Sequence, residues 1–294
     1  MFYNYSINNF YDFFFSKSSR EITEKGILIV ALTSFFIHLI LILMNEYGLF
    51  GRNINTELLR SPLIAIYTPF SFILLYEVYL LIYYLPQSFT FYLSKQYEII
   101  TLIVFRRFFK DISFINTKDI NISEWLFSEF FLDLAVGLLL FVLVYFFKKN
   151  FKRNKNKNML DENFGLKTFV NQKKIISIIL IPVFLFMVAS SFVGWFKSFS
   201  AINSSITNLN QIFFEDFFSL LIFVDVVILL LSFFYTQDFH KIIRNSGFIV
   251  STIIIRMSFG VTGSLNLLLI VSALLTGLIV LYIHNLYNHL DKRV

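Results

Sequence analysis

The chain has 294 residues, 57% of them hydrophobic and only 15% charged, with 40 Phe, 15 Tyr and a formal charge of +6. A soluble domain is nearer one-quarter charged, and a hydrocarbon core of about 30 Å needs about 20 apolar residues per helix, so this composition predicts an all-α, multi-pass integral membrane protein and excludes a separate soluble catalytic domain. The absence of cysteine also excludes disulfides, thiolate metal sites, iron–sulfur clusters and thiol nucleophiles.

Residues 1–25 begin with an aromatic stretch (Phe2, Tyr3, Tyr5, Phe10, Tyr11, Phe13, Phe14, Phe15) broken by Asn and Asp. It is too polar to cross a bilayer and suits an interfacial helix. No cleavable leader is expected, because no basic segment precedes the first long apolar run and no small-residue cleavage site follows it. Apolar runs then predict membrane helices at 26–44, 62–85, 94–109, 128–147, 174–196, 213–235, 245–261 and 265–285. The third and seventh are short and carry arginine, so eight crossings become six if those two are re-entrant or interfacial. Pro69 and Pro182 fall within the second and fifth helices, where a bend is expected, and Trp125 and Trp195 lie near outer boundaries, as aromatic belt residues do.

Between the fourth and fifth helices, Lys148, Lys149, Lys152, Arg153, Lys155 and Lys157 place six bases within ten residues, without an acid. The positive-inside rule reads residues 149–173 as a cytoplasmic linker in preference to a site for nucleic acid or anionic lipid. Both termini then face the cytoplasm, and the cell's inner (plasma) membrane is the expected location. The linker divides a first four-helix block, 26–148, from a second, 174–294.

Laid over each other, the two blocks repeat three polar positions in one order. Leu75-Tyr76-Glu77-Val78 answers to Phe223-Val224-Asp225-Val226, each an acid inside an apolar run. An arginine follows 29 or 31 residues later, in Ile103-Val104-Phe105-Arg106 and Ile253-Ile254-Ile255-Arg256. The fourth helix opens with Phe131-Leu132-Asp133-Leu134 and the eighth with Ser264-Leu265-Asn266-Leu267. Four crossings separate the copies, so the two repeats would be parallel, related by an axis along the membrane normal.

On these residues, 211–290 resembles the PsiE family of four-helix bacterial membrane proteins. In that family a mid-helix acid precedes an arginine on the third helix, and a Leu-Asp pair opens the fourth ahead of small residues such as Ser272 and Ala273. Residues 62–148 resemble the same pattern more weakly. The resemblance implies two PsiE-like units in tandem, in a protein of the phosphate-starvation-inducible kind. The second copy departs from the pattern by having Asn266 in place of the acid. In the first, Arg106-Arg107 leaves the register open by one residue.

At about 1.5 Å per helical residue, Glu77 and Arg106 fall roughly 14 and 18 Å from the inner boundary, and Asp225 and Arg256 roughly 18 and 17 Å. An ionised group near the midplane costs about 2.5–3.5 kcal/mol on insertion scales, so an acid and a base at one depth should pair. Arg106 has the length to reach either Glu77 or Asp133, while Asp133 and Asn266 can also cap their own helices. Voltage-responsive arginine helices are one reading of the pairs, disfavoured because one arginine per repeat moves too little charge for steep gating; two further readings carry more weight. The pairs hold the bundle together, or they line a polar path for a small ion, with arginines attracting anions or carboxylates relaying protons. His38, inside the first helix, is read as hydrogen-bonded packing, with a proton-carrying role secondary. His240, His284 and His289 lie near the inner boundary with no pair at metal spacing.

No Gly-x-Ser-x-Gly elbow, phosphate-cradling glycine loop or His-Glu-x-x-His occurs, so the sequence predicts no enzyme, no cofactor and no metal site. The expected function is a small-ion or solute channel or transporter with Glu77, Arg106, Arg107, Asp133, Asp225, Arg256 and Asn266 along its path. The competing expectation is a non-transporting scaffold or stress-response partner, with membrane lipid and a second copy or another membrane protein as its contacts.

Overall fold

The computed structural model describes residues 11–48, 59, 62–114, 129–155, 164–200, 209–261 and 263–290. The regular elements among them are helical. In chain order they are α1 (Lys17–Glu46), a 3-10 stretch (Pro62–Ile66), α2 (Tyr67–Tyr84), α3 (Phe89–Phe114), α4 (Glu129–Lys155), α5 (Phe164–Ser200), α6 (Leu209–Phe233), α7 (Phe239–Ser258) and α8 (Ser264–Leu290). Trp125 and residues 156–163 of the basic linker lie outside the described residues, as do the side chains of Trp195 and His289.

Among the described residues, six segments are long and apolar enough to cross a membrane: Lys17–Glu46, Ile64–Tyr84, Phe131–Phe151, Lys167–Ser191, Asp216–Phe233 and Ser264–Asn288. The two helices outside this set are α3, which carries Lys95, Glu98, Arg106, Arg107, Lys110 and Asp111, and α7, which carries Lys241, Arg244 and Arg256. They are the same two whose length and arginines set them apart in the sequence.

Several helices start earlier than their apolar runs. The Ser16 side chain accepts from Ser19 N at 3.1 Å and N-caps α1, so the boundary expected at residue 25 falls inside that helix. Ser88 receives the Phe91 amide at 3.4 Å ahead of α3, and Asp238 is the N-cap residue of α7. A serine or aspartate at this position favours helix entry before the apolar face begins. Pro69 is only the third residue of α2, where its missing amide proton breaks no ladder, so no bend is needed there. Pro182 does lie within α5. Gly48, after the end of α1, has a φ of 71°, and Gly263, before α8, has a φ of 72°; both are conformations that glycine adopts without steric cost.

The chain divides into two compact units. One comprises residues 12–81 and 99–139. In it the Tyr79 hydroxyl donates to the Phe14 carbonyl at 2.9 Å and the Tyr76 hydroxyl to Glu24 Oε2 at 2.7 Å, while His38 Nδ1 bonds Thr68 Oγ1. His38 is thus engaged in local packing.

The other unit comprises residues 1–11, 82–98 and 140–294. Its tightest seam is built on small residues, which let helices approach where no hydrophobic drive separates protein from lipid. A Cβ on Gly247 would lie 2.7 Å from Val280, and one on Gly277 only 1.8 Å from the Tyr97 hydroxyl. That hydroxyl lies 2.6 Å from Ser251 Oγ, which donates to the Ala273 carbonyl at 2.7 Å. The Phe147 ring packs against Tyr97 at 5.0 Å and Phe248 at 6.1 Å. Closer to the polar end, Glu98 takes Lys95 at 2.9 Å and Lys148 at 2.8 Å.

Gly277→Ala should therefore lower the thermal unfolding midpoint in detergent, by an amount worth about 1–3 kcal/mol for an overpacked core site. Tyr97→Phe, which removes the hydroxyl nearest the new methyl, should make the double variant less destabilised than the sum of the two singles.

Candidate functional site

In the first of these units the acid and arginine of the sequence pattern meet. Arg106 Nη2 lies 2.6 Å from Glu77 Oε2, and its Nη1 donates to the Phe70 carbonyl at 2.9 Å. Glu77 is 4% exposed. The adjacent Arg107 turns to the other carboxylate, with its Nε 3.8 Å from Asp133 Oδ2. Successive helical residues point about 100° apart, so two neighbouring arginines serve two acids, and the open register resolves as Arg106 with Glu77 and Arg107 with Asp133.

In the second unit Arg256 Nη1 lies 2.6 Å from Asp225 Oδ2. Thr252 Oγ1 donates to the same oxygen at 2.8 Å, and Arg256 Nη2 donates to the Tyr92 hydroxyl at 3.3 Å. Helical side chains lean toward the N-terminus, so Arg256 reaches back one turn to the level of Thr252. Depths counted from Asn245 miss this, because α7 begins at Phe239. Asp225 has no exposed surface, and its Oδ1 has no hydrogen-bond partner among the described residues.

Asn266 serves the end of the preceding helix. Its side-chain amide donates to the Ser258 carbonyl and, at 3.1 Å, to the Val261 carbonyl, closing the end of α7. Only a donor can satisfy carbonyls, so an aspartate there would lose both bonds.

One residue of this site escaped the sequence reading. Lys173 is 2% exposed. Its ammonium donates to the Gln87 carbonyl at 2.7 Å and sits 4.5 and 4.8 Å from the ring centres of Phe89 and Phe169, a cation–π setting that replaces hydration. It is close enough to Asp225 for the two charges to interact, yet no carboxylate lies within ion-pair distance of it among the described residues. Its neighbourhood of ten apparently loop-like residues before the apolar run hid it, because α5 in fact starts at Phe164.

No group of three or more His, Asp or Glu suited to a metal occurs among the described residues. No family model, no curated protein and no solved structure matches the chain. What the site offers chemically is charge held away from water: a closed acid–arginine pair in each unit, and in the second an additional cation.

Removing one partner of a buried pair strands the other, at a cost of about 3–5 kcal/mol, while removing both is far milder. Glu77→Gln should accordingly lower the unfolding midpoint in detergent more than the double variant Glu77→Gln/Arg106→Gln. A double variant as unstable as the single would show that the pair is not the dominant interaction.

Proposed function

We propose that this multi-pass membrane protein moves a small ion, and that Asp225, Arg256 and Lys173 form the site it uses. The observation that carries the reading is the electrostatic imbalance there. A packing pair needs one acid and one base, whereas two cations are buried around Asp225, one carboxylate oxygen of which lacks a hydrogen bond. Such groups are expensive in hydrocarbon and mark ion paths or proton relays in membrane proteins. The chain's role is binding and passage, not catalysis.

The same reading takes the helices as two parallel PsiE-like units of four, in an inner membrane with both termini cytoplasmic. Its support is positional: Arg106 is seventeen residues beyond Phe89 at the start of α3, and Arg256 seventeen beyond Phe239 at the start of α7. A second reading, a scaffold or stress-response partner, is favoured by Glu77 and Arg106, one acid and one base that meet at 2.6 Å.

Flux into liposomes holding the purified protein separates the two. Protons, alkali cations, chloride and phosphate are each tested under an imposed potential. Wild-type flux should fall at least about tenfold in Asp225→Asn and Lys173→Met proteins that still fold, a rise of about 1.4 kcal/mol or more in the barrier. Absence of flux for every ion leaves the scaffold.

A further inference from the structure

At the polar end of α7 and α8, the sequence scattered Arg244, His240, His284 and Asn288 without an evident relation. The fold gathers them. Arg244 Nε and Nη2 donate to Asn245 Oδ1 at 3.2 and 2.9 Å, and Nη1 lies 3.1 Å from His284 Nε2. Asn288 Nδ2 approaches the same ring nitrogen at 3.0 Å. Two donors converging on Nε2 make it the acceptor, which leaves His284 neutral with its proton on Nδ1. The His240 ring stacks on His284 with centres 5.2 Å apart.

Among the described residues, Arg244 is thus held by neutral partners. Burial lowers its guanidinium to about 10, which leaves it charged at neutral pH. Of the five guanidinium N–H groups, three are engaged among the described residues, which leaves one on each terminal nitrogen to offer to the oxygens of a phosphate. The nearby acid, Asp238, is held by Lys241 at 2.5 Å. Beside the cluster the helices present apolar side chains outward: Ile243 is 50% exposed, Ile283 and Tyr287 each 44%. A water-borne anion has no use for that surface, whereas acyl chains do.

We infer that the Arg244 fork, positioned by Asn245 and His284 at the α7–α8 end, is a binding site for the phosphate of an anionic lipid headgroup. The lipid's chains lie along Ile243, Ile283 and Tyr287, and its phosphodiester supplies a counter-charge that no acid among the described residues gives Arg244 by an ion pair. A cation there is better matched by an anionic than a zwitterionic lipid, because the latter brings its own ammonium.

The test is native mass spectrometry of the full-length protein released from micelles containing equimolar phosphatidylglycerol and phosphatidylcholine. Wild type should retain phosphatidylglycerol preferentially, and Arg244→Gln should lower that retention about tenfold, about 1.4 kcal/mol, with Arg244→Lys intermediate because it keeps the charge without the fork. Unfolding in zwitterionic detergent checks the fold of each variant. Where Arg244→Gln does not fold, wild-type selectivity and the lysine variant decide. Equal retention of the two lipids by wild type, or undiminished phosphatidylglycerol retention by a folded variant, overturns the assignment. So does displacement of the lipid by millimolar inorganic phosphate, which would make the ligand a free anion.

Discussion

An ionised side chain in hydrocarbon must find its opposite or a substitute for water, and the helix arrangement within each unit answers to that constraint. Glu77, Arg106, Asp133, Lys173, Asp225 and Arg256 are all buried. Apolar packing in lipid has little preference for one helix rotation over another, since the tails outside are as apolar as the leucines inside. Charge is what discriminates. Turning α7 by a third of a turn would leave Arg256 in lipid and Asp225 without its ion-pair partner, whereas the same turn would cost its Ile residues far less.

The acid–arginine pairs were legible in the sequence because an acid inside an apolar run has few solutions. Helix boundaries were less legible: Ser16 and Asp238 start helices in stretches whose polarity suggested loops, and a periodic apolar face gives no sign of where the backbone ladder begins. Lys173 was hidden by such a boundary, since α5 already begins at Phe164, and by the distance in sequence to the Gln87 carbonyl that it meets. The contact of His240 with His284 was hidden by sequence separation, the two rings being brought close by helices running side by side.

Under the proposed correspondence of the two halves, Arg107 and Asp133 of the first would answer to Met257, which is 60% exposed, and Asn266 of the second, so that cation and acid would be absent together. The Asn266 amide closes carbonyls at the end of α7, a task that a carboxylate, which only accepts, cannot perform.

In α1, a helix of 30 residues, Ala31 and Ile42 are the buried positions, while Leu28, Ile29, Leu32, Phe36, Ile37 and Ile40 are each at least half exposed. Almost its whole surface is therefore judged by solvent and not by neighbouring side chains. Leucine, isoleucine and phenylalanine are interchangeable to a lipid tail, so this helix is free to drift in identity while its hydropathy stays constant. Its ancestry would be written in composition, whereas that of α7 is written in individual residues.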